Sequence, residues 1–405
     1  MDKRTFSYIS GRFRDYYRNE EISLPPESDS REWGFIPFEE SGDMYMIRHK
    51  STKQMGEIDE FTKRKSPRHF YFSASKYENP SIPNMNDKGW VGADLIFDID
   101  ADHLKNVDED TTPYDEMLAE GKSVLKNLVS VLENDFSFDD ITIVFSGGRG
   151  YHVHVRDDSV QTLSRSARNE IVDYLTGTNV DFETVTTTYP FEIPVKHYDG
   201  LFPKSKGWGS KYRDYLLSTF DEMHTDILNI VEQHKEDAVV TKTTQLLKDK
   251  YDINNIGTKR SEAVVSVFTS EETYSEVKLG NIQASPAIKI IAEQLLDQAI
   301  EHNQLEIDEP VTTDVNRLIR LPGSLHGGSG MRVSRIKKSN IDNFTPLVDA
   351  IPEKFKNNSV KIEVENSVES YIGGEKTEYQ PGEHMVPEYE AIHLICQEKA
   401  QKLSE

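Results

Sequence analysis

Residues 93–102 read ADLIFDIDAD, and this stretch constrains the chain more than any other. Leu95, Ile96, Phe97 and Ile99 form a short apolar run of the kind that makes a buried strand. Two carboxylates, Asp98 and Asp100, interrupt it with one residue between them. Side chains alternate faces along a strand, so positions i and i+2 point the same way. The spacing therefore sets both carboxylates side by side at one end of a core strand. Acids that close repel and are penalised by desolvation, and a divalent cation is the usual compensation. Two-metal phosphoryl transfer uses such a pair. A strand end whose acids simply face water is the plain alternative, because short D-x-D matches are common.

Charge distribution sharpens the choice. The 405 residues hold 47 Lys and Arg against 70 Asp and Glu, a net charge of −23. Such a surface repels nucleic acid at low salt and suits molar salt, where the Debye length shrinks to about 3 Å. A halophilic source is expected. The acids are unevenly spread, however: residues 45–56, 61–76, 141–156 and 315–339 contain no Asp or Glu. These islands hold Arg48, Arg68, Arg149, Arg156, Arg317 and Arg320 among others. Basic stretches kept clean in an acidic chain read as anion sites, although any one of them alone reads as ordinary surface charge. No window approaches the ~18 apolar residues of a membrane span. The N-terminal MDKRTFSYIS lacks the apolar core of a signal peptide, and Cys396 is the single cysteine, so no disulfide framework or cysteine-rich metal site is available. A cytoplasmic protein is expected.

Along the chain, residues 1–20 carry Phe6, Ile9, Phe13, Tyr16 and Tyr17 near helical spacing. Residues 24–43 read as a loop-rich connection, 43–48 as a strand delivering Arg48, and 68–75 as an aromatic strand. Residues 112–134 have a helical apolar face, and 141–145 are a strand leading into Ser146-Gly147-Gly148-Arg149-Gly150. Three glycines in five residues let backbone N–H groups converge on an anion, with Arg149 adding charge. A hairpin turn is the plain alternative. Beyond it, YHVHVR alternates and puts His152 and His154 on one face, where a His-x-His metal pair is a third, weaker option.

Residues 201–309 are mostly polar and helical, with 252–283 low in periodicity, and read as an inserted helical subdomain. The second informative stretch is 305–336, LEIDEPVTTDVNRLIRLPGSLHGGSGMRVSRI. Asp308 ends a short apolar run and suits a third carboxylate, while Arg317, Arg320 and His326 follow at anion-binding positions. Taken singly, Asp308 reads as a surface acid and His326 as a loop residue; three acids and three anion elements together read as a site. Residues 344–405 hold 12 acids against 6 lysines and read as an accessory segment ending in a helix at 390–403.

In MIRHKS at Met46, DLIFDID at Asp94, SGGRGYHVHV at Ser146 and IDEPVTTDVNRLIRLPGSLHGGSG at Ile307, the chain resembles the small, catalytic subunit of archaeal and eukaryotic DNA primase. The resemblance is to the archaeal form and, given the acidity, the haloarchaeal one. It implies an α/β (α+β) primase fold, with a mixed-sheet catalytic core at residues 1–180 and 300–348. A helical insertion would occupy 181–299 and an acidic extension 349–405. It also implies that Asp98, Asp100 and Asp308 are catalytic metal ligands. Ser146, Arg149 and His152 would hold the nucleotide's triphosphate, and Arg48, Arg320 and His326 would complete the pocket.

The implied activity is primer synthesis without a pre-existing primer on single-stranded DNA, from nucleoside triphosphates, with Mg²⁺ or Mn²⁺. The large primase subunit is the implied partner. Family members carry a Cys and His zinc knob after the D-x-D strand; residues 101–140 here have His103 and no cysteine, so zinc is not expected. A metal-dependent nuclease would need the acids but no triphosphate pocket. A binding-only replication subunit would need neither metal nor acids.

Overall fold

A computed structural model describes residues 1–40, 44–193 and 196–404. The chain forms two compact units, Met1–Val172 with Glu306–Glu405, and Asp173–Leu305. The strands of the first part are β1 (Arg31–Ile36), β2 (Ile47–Lys50), β3 (His69–Tyr77), β4 (Trp90–Ala93), β5 (Leu95–Asp100), β6 (Ile141–Phe145) and β7 (Gly150–Val155). The second unit contributes the hairpin β8 (Thr186–Ile193) and β9 (Lys196–Pro203). The chain then adds β10 (Leu318–Arg320), β11 (Ser334–Ile336), β12 (Ser359–Val364), β13 (Val368–Ser370), β14 (Thr377–Tyr379), β15 (Gly382–Pro387) and β16 (Ala400–Lys402).

Two sheets organise the first unit. One runs β10-β3-β1-β2, with β4 pairing a further stretch of β3. The other runs β11-β6-β7-β5. The α/β class is as expected, but where a mixed sheet was expected every strand pair among the described residues is antiparallel. β5 is apolar on both faces at its start: Leu95, Phe97 and Ile99 are buried, and Ile96 packs on the other side with Ala74, Val311 and Ile319. The face that begins with Ile96 continues as Asp98 and Asp100, so alternation carries both acids out of a packed layer into an open end.

The N-terminal helix Lys3–Asn19 buries Ile9, Phe13, Tyr16 and Tyr17, as its periodicity predicts. Its partners include Trp33 of β1, Phe70 and Phe72 of β3, and, from the far end of the chain, Ile362, Val364, Ile392 and Ile395. Residues 349–405, set apart from sequence as an accessory extension, thus share the core of the first unit. They form the β15-β12-β16 sheet and the helix Glu388–Cys396, shorter than the terminal helix expected at 390–403 because the chain turns into β16.

Residues 24–43 differ from the expected loop in containing β1, which lies between β3 and β2. Its Arg31 and Glu32 are polar yet fully buried, because Arg31 binds Asp94 and Glu32 binds Lys88. Asp43, where the next strand was expected to begin, lies outside the described residues, and that strand runs over Ile47–Lys50. A short helix, Phe182–Val185, precedes the β8–β9 hairpin, within which Pro194 and Val195 lie outside the described residues.

The second unit is mainly helical. Trp208–Gln233, Glu236–Asp249, Thr258–Thr269 and Pro286–Asn303 pack around Tyr212, Leu216, Phe220, Val264, Ile291 and Leu295. Residues 252–283, weakly periodic in sequence, supply the helices at 258–269 and 271–278.

Candidate active site

The three acids come together. Carboxylate oxygens of Asp98, Asp100 and Asp308 all lie within 4.8 Å of one another, each residue partly buried. The backbone holds them in place: the Asp308 N–H donates to the Asp98 carbonyl at 2.9 Å, pinning the second stretch against β5. Asp308 then opens the short helix Glu309–Thr313, and Asp100 opens a turn at Ala101–His103. An aspartate in that position ordinarily caps the helix with its side chain. Neither does so here, which leaves both carboxylates facing Asp98.

Burial raises the Asp98 carboxyl to about 7, helped by the negative charge of Asp308. Burial and the neighbouring Asp98 raise Asp100 to about 6. Asp98 Oδ1 is buried with no hydrogen-bond partner among the described residues. The His152 ring nitrogen Nε2 lies 3.4 Å from it. Burial, with Arg320 close by, lowers that imidazole to about 4, so it is neutral at physiological pH and brings no counter-charge. Three acids close together, one oxygen without a donor and a neutral neighbour fit a divalent cation and an oxygen-ligand site.

The Ser146–Gly150 loop abuts this cluster because β7 pairs with β5, setting Asp98 opposite His152 and Asp100 opposite Gly150. A Cβ at Gly150 would stand 2.1 Å from the Ile99 carbonyl oxygen, so no other residue fits there. Gly147 takes φ +79°, which L side chains rarely adopt. Ser146 Oγ accepts from the N–H groups of Gly148 at 3.3 Å and Gly150 at 3.2 Å, bracing the loop from within. His326 packs beneath Gly147 and Gly148 and is held neutral by burial and by Arg320. His154, on the same face as His152, is a core residue stacked on Phe72 and takes no part in the acid cluster.

A cleft of about 1270 Å³ contains Asp98, Asp100, Ser146, Arg149, His152, Arg320 and His326 in its walls. Arg149 lines it with its guanidinium held by Asp102 at 2.9 Å and by Glu109. Arg320 is aimed by Tyr71, whose hydroxyl accepts from it at 2.7 Å, and by His69 Nδ1 at 3.1 Å. Arg48 stands apart from this cleft. It lines a smaller hollow of about 350 Å³ on the other side of Asp98, His152 and Arg320, held there by Glu32 at 2.8 Å.

Sequence reading missed several contributors. Tyr71 and His69 sit in the aromatic strand and looked like core. Arg317, singled out in sequence beside Arg320, lies 3.5 Å from Asp308. The C-terminal stretches 365–371 and 397–401 also line the main cleft, and no motif marks them.

With this geometry in view, the family model described as DNA primase small subunit matches residues 97–338. The chain belongs to the DNA primase small subunit family. It is 41% identical to the DNA primase small subunit of Halobacterium salinarum over the whole of both chains. It is 40% identical to that of Haloarcula marismortui, over 99% of each. The relative from Methanosarcina barkeri is 35% identical over 98% of this chain and 96% of its own. The chain is therefore a catalytic primase, a nucleotidyltransferase of DNA replication, and its acidity fits the haloarchaeal source of several relatives. No helix among the described residues is long and apolar enough to cross a membrane.

Proposed function

We propose that the Asp98–Asp100–Asp308 cluster is the two-metal centre of primer synthesis, loaded with Mg²⁺ or Mn²⁺. The observation that carries the reading is the convergence of three carboxylates within 4.8 Å, with Asp98 Oδ1 buried and unpartnered. Bound ions of this kind lower the pKa of an attacking hydroxyl and neutralise charge on a leaving pyrophosphate. The chain's own residues do the rest. Asp98, Asp100 and Asp308 hold the ions through oxygen, the ligand type that hard divalent cations select. Ser146 shapes the glycine loop so that it can approach phosphates closely. Arg149, released from Asp102 and Glu109, and Arg320, aimed by Tyr71 and His69, offset triphosphate charge as it develops. His152 and His326 are neutral, so they serve as shape and hydrogen-bond partners for the phosphates. Arg48 reaches the reacting end from the smaller hollow.

In this reading residues 1–172 and 306–405 make the catalytic domain, with the helical unit inserted in it. The template is single-stranded DNA, the substrates are nucleoside triphosphates, the partner is the large primase subunit, and the enzyme works in the cytoplasm. The test is primer synthesis on unprimed single-stranded DNA at high KCl with Mg²⁺ or Mn²⁺, alone and with the large subunit, with Asp308→Asn in parallel. Short products from the parent and none from the variant are expected. Synthesis that survives Asp308→Asn removes that residue from the centre.

A further inference from the structure

The main cleft has a wall that no motif marks. Helix Glu388–Cys396 packs so tightly on the Gly328–Gly330 turn that a Cβ at Gly330 would stand 2.5 Å from Ile392 Cγ2. His393 is buried, with Nδ1 2.8 Å from the Ser329 carbonyl oxygen and Nε2 2.9 Å from the Gln397 side-chain nitrogen. Its ring lies parallel to Tyr114 at 6.1 Å. Tyr114 in turn donates to the Gly148 carbonyl at 2.8 Å, and Ser329 Oγ donates to the Gly147 carbonyl. The C-terminal helix is thus braced on the glycine loop from His393 by two routes, one through Ser329 and one through Tyr114.

The chain leaves that helix through Glu398, with φ +62°, and the Lys399 N–H donates to the Leu394 carbonyl at 2.9 Å. Ala400 then enters β16, which pairs with β12. The backbone of Lys399 is therefore fixed on both sides while its side chain is exposed in the cleft.

The state of the other cations in the cleft gives this placement its meaning. Arg149 is engaged by Asp102 and Glu109, and Lys376 by Glu369 at 2.7 Å. Arg320 is engaged by Tyr71 and His69. Lys399 has no carboxylate or hydrogen-bond partner for its ammonium among the described residues. Partial burial and the positive charge of Arg149 both work against its charged form, which shows that the two cations share one field. A lysine fixed at its backbone, near another cation and lacking an acid, is arranged to receive an anion.

We propose that Lys399 is a further binding residue for the incoming nucleotide, contacting its triphosphate from the C-terminal wall of the cleft, with His393 and Tyr114 as positioning residues that couple that wall to the glycine loop. The proposal rests on the primase reading of the cleft. No covalent step is involved; the ammonium donates to phosphate oxygens and neutralises part of their charge.

The test uses the full chain with Mn²⁺, comparing the parent with Lys399→Ala, Lys399→Arg and Lys402→Ala. Direct binding of a fluorescent nucleoside triphosphate and of the corresponding monophosphate is measured first, then the nucleotide KM and kcat of primer extension. One charge-assisted contact predicts about a tenfold loss of triphosphate affinity in Lys399→Ala, matched in KM, with kcat and monophosphate affinity little changed. Lys399→Arg restores most of it, and Lys402→Ala behaves as the parent. Equal loss for mono- and triphosphate, or no loss, overturns the proposal. Because binding is read separately from synthesis, a parent that binds triphosphate through Lys399 but makes no product, alone or with the large subunit, would refute the primase reading and keep the Lys399 contact.

Discussion

Asp94, just before β5, and Asp98, within it, stand four residues apart, and the protein treats them oppositely. Asp94 is 1% exposed, and both its oxygens are met by Arg31 Nη2, at 3.0 and 2.9 Å. Arg156 Nε adds a third contact at 3.0 Å. Arg168 closes the arrangement by donating to the Asp94 backbone carbonyl at 3.0 Å. Asp98 has like charges beside it, a neutral histidine 3.4 Å away and an oxygen with no donor. An acid buried for the sake of the fold brings its own cations, because an unpaired buried charge is strongly destabilising. An acid buried without them is waiting for a cation from outside. The contrast marks Asp98 as a candidate functional carboxylate without appeal to any motif.

Substitution is the most forceful way to break that comparison. Asp98→Asn should lower primer synthesis by at least about a thousandfold, since it removes a metal ligand from the reacting centre. The metal-free variant should melt no lower than the parent at pH 8, because the neutral amide relieves repulsion from Asp308. Asp94→Asn should do the reverse. Stranding Arg31 and Arg156 costs about 3–5 kcal/mol, seen as a lower midpoint in denaturant at high KCl. Comparable unfolding of both variants would erase the distinction. Arg149→Ala should raise the nucleotide KM by about tenfold with a smaller change in kcat, as expected for loss of one charge-assisted contact.

Proton linkage sharpens the same contrast with a smaller effect. Asp98 sits at about 7 and Asp100 at about 6 in the folded chain, both above the ordinary carboxylate value of 3.8. The native state therefore binds these protons more tightly than the unfolded chain. The stability they contribute is complete below about pH 4 and is lost as pH rises through 6 and then 7. A divalent cation competes with those protons, so the rise in Tm on adding Mn²⁺ should be larger at about pH 8 than at about pH 5.5. In Asp98→Asn that difference should shrink; an Mn²⁺ effect equal at both pH values in the parent would refute the linkage.

How much of this was legible beforehand follows from how local each signal is. Asp98 and Asp100 share a face because strands alternate, and Gly147 and Gly150 sit where a positive φ and a close backbone approach exclude other residues. Those inferences need only neighbours in sequence. β1 was hidden because Arg31 and Glu32 look like loop residues until Asp94, 63 positions from Arg31, and Lys88, 56 from Glu32, are placed beside them. The C-terminal wall was hidden for a related reason. Val360, Ile362 and Val364 alternate as a strand should, but the acidic residues around them suggested an accessory segment. Helix Glu388–Cys396 was expected at 390–403, but it is buried on nearly every side, so no polar face told which neighbours it packs against. Arg149 was singled out by its motif and lines the cleft, yet its engagement by Asp102 and Glu109 depends on pairs 47 and 40 residues apart.

The central claim is that Asp98, near the end of β5, is buried with an unpartnered oxygen in order to hold divalent metal. Equilibrium binding of Mn²⁺, followed by calorimetry on the parent, Asp98→Asn and Asp94→Gln at high KCl, tests it most directly. The account predicts saturable binding by the parent, its loss in Asp98→Asn, and its retention in whatever fraction of Asp94→Gln remains folded. Unchanged Mn²⁺ binding by a folded Asp98→Asn protein would contradict it.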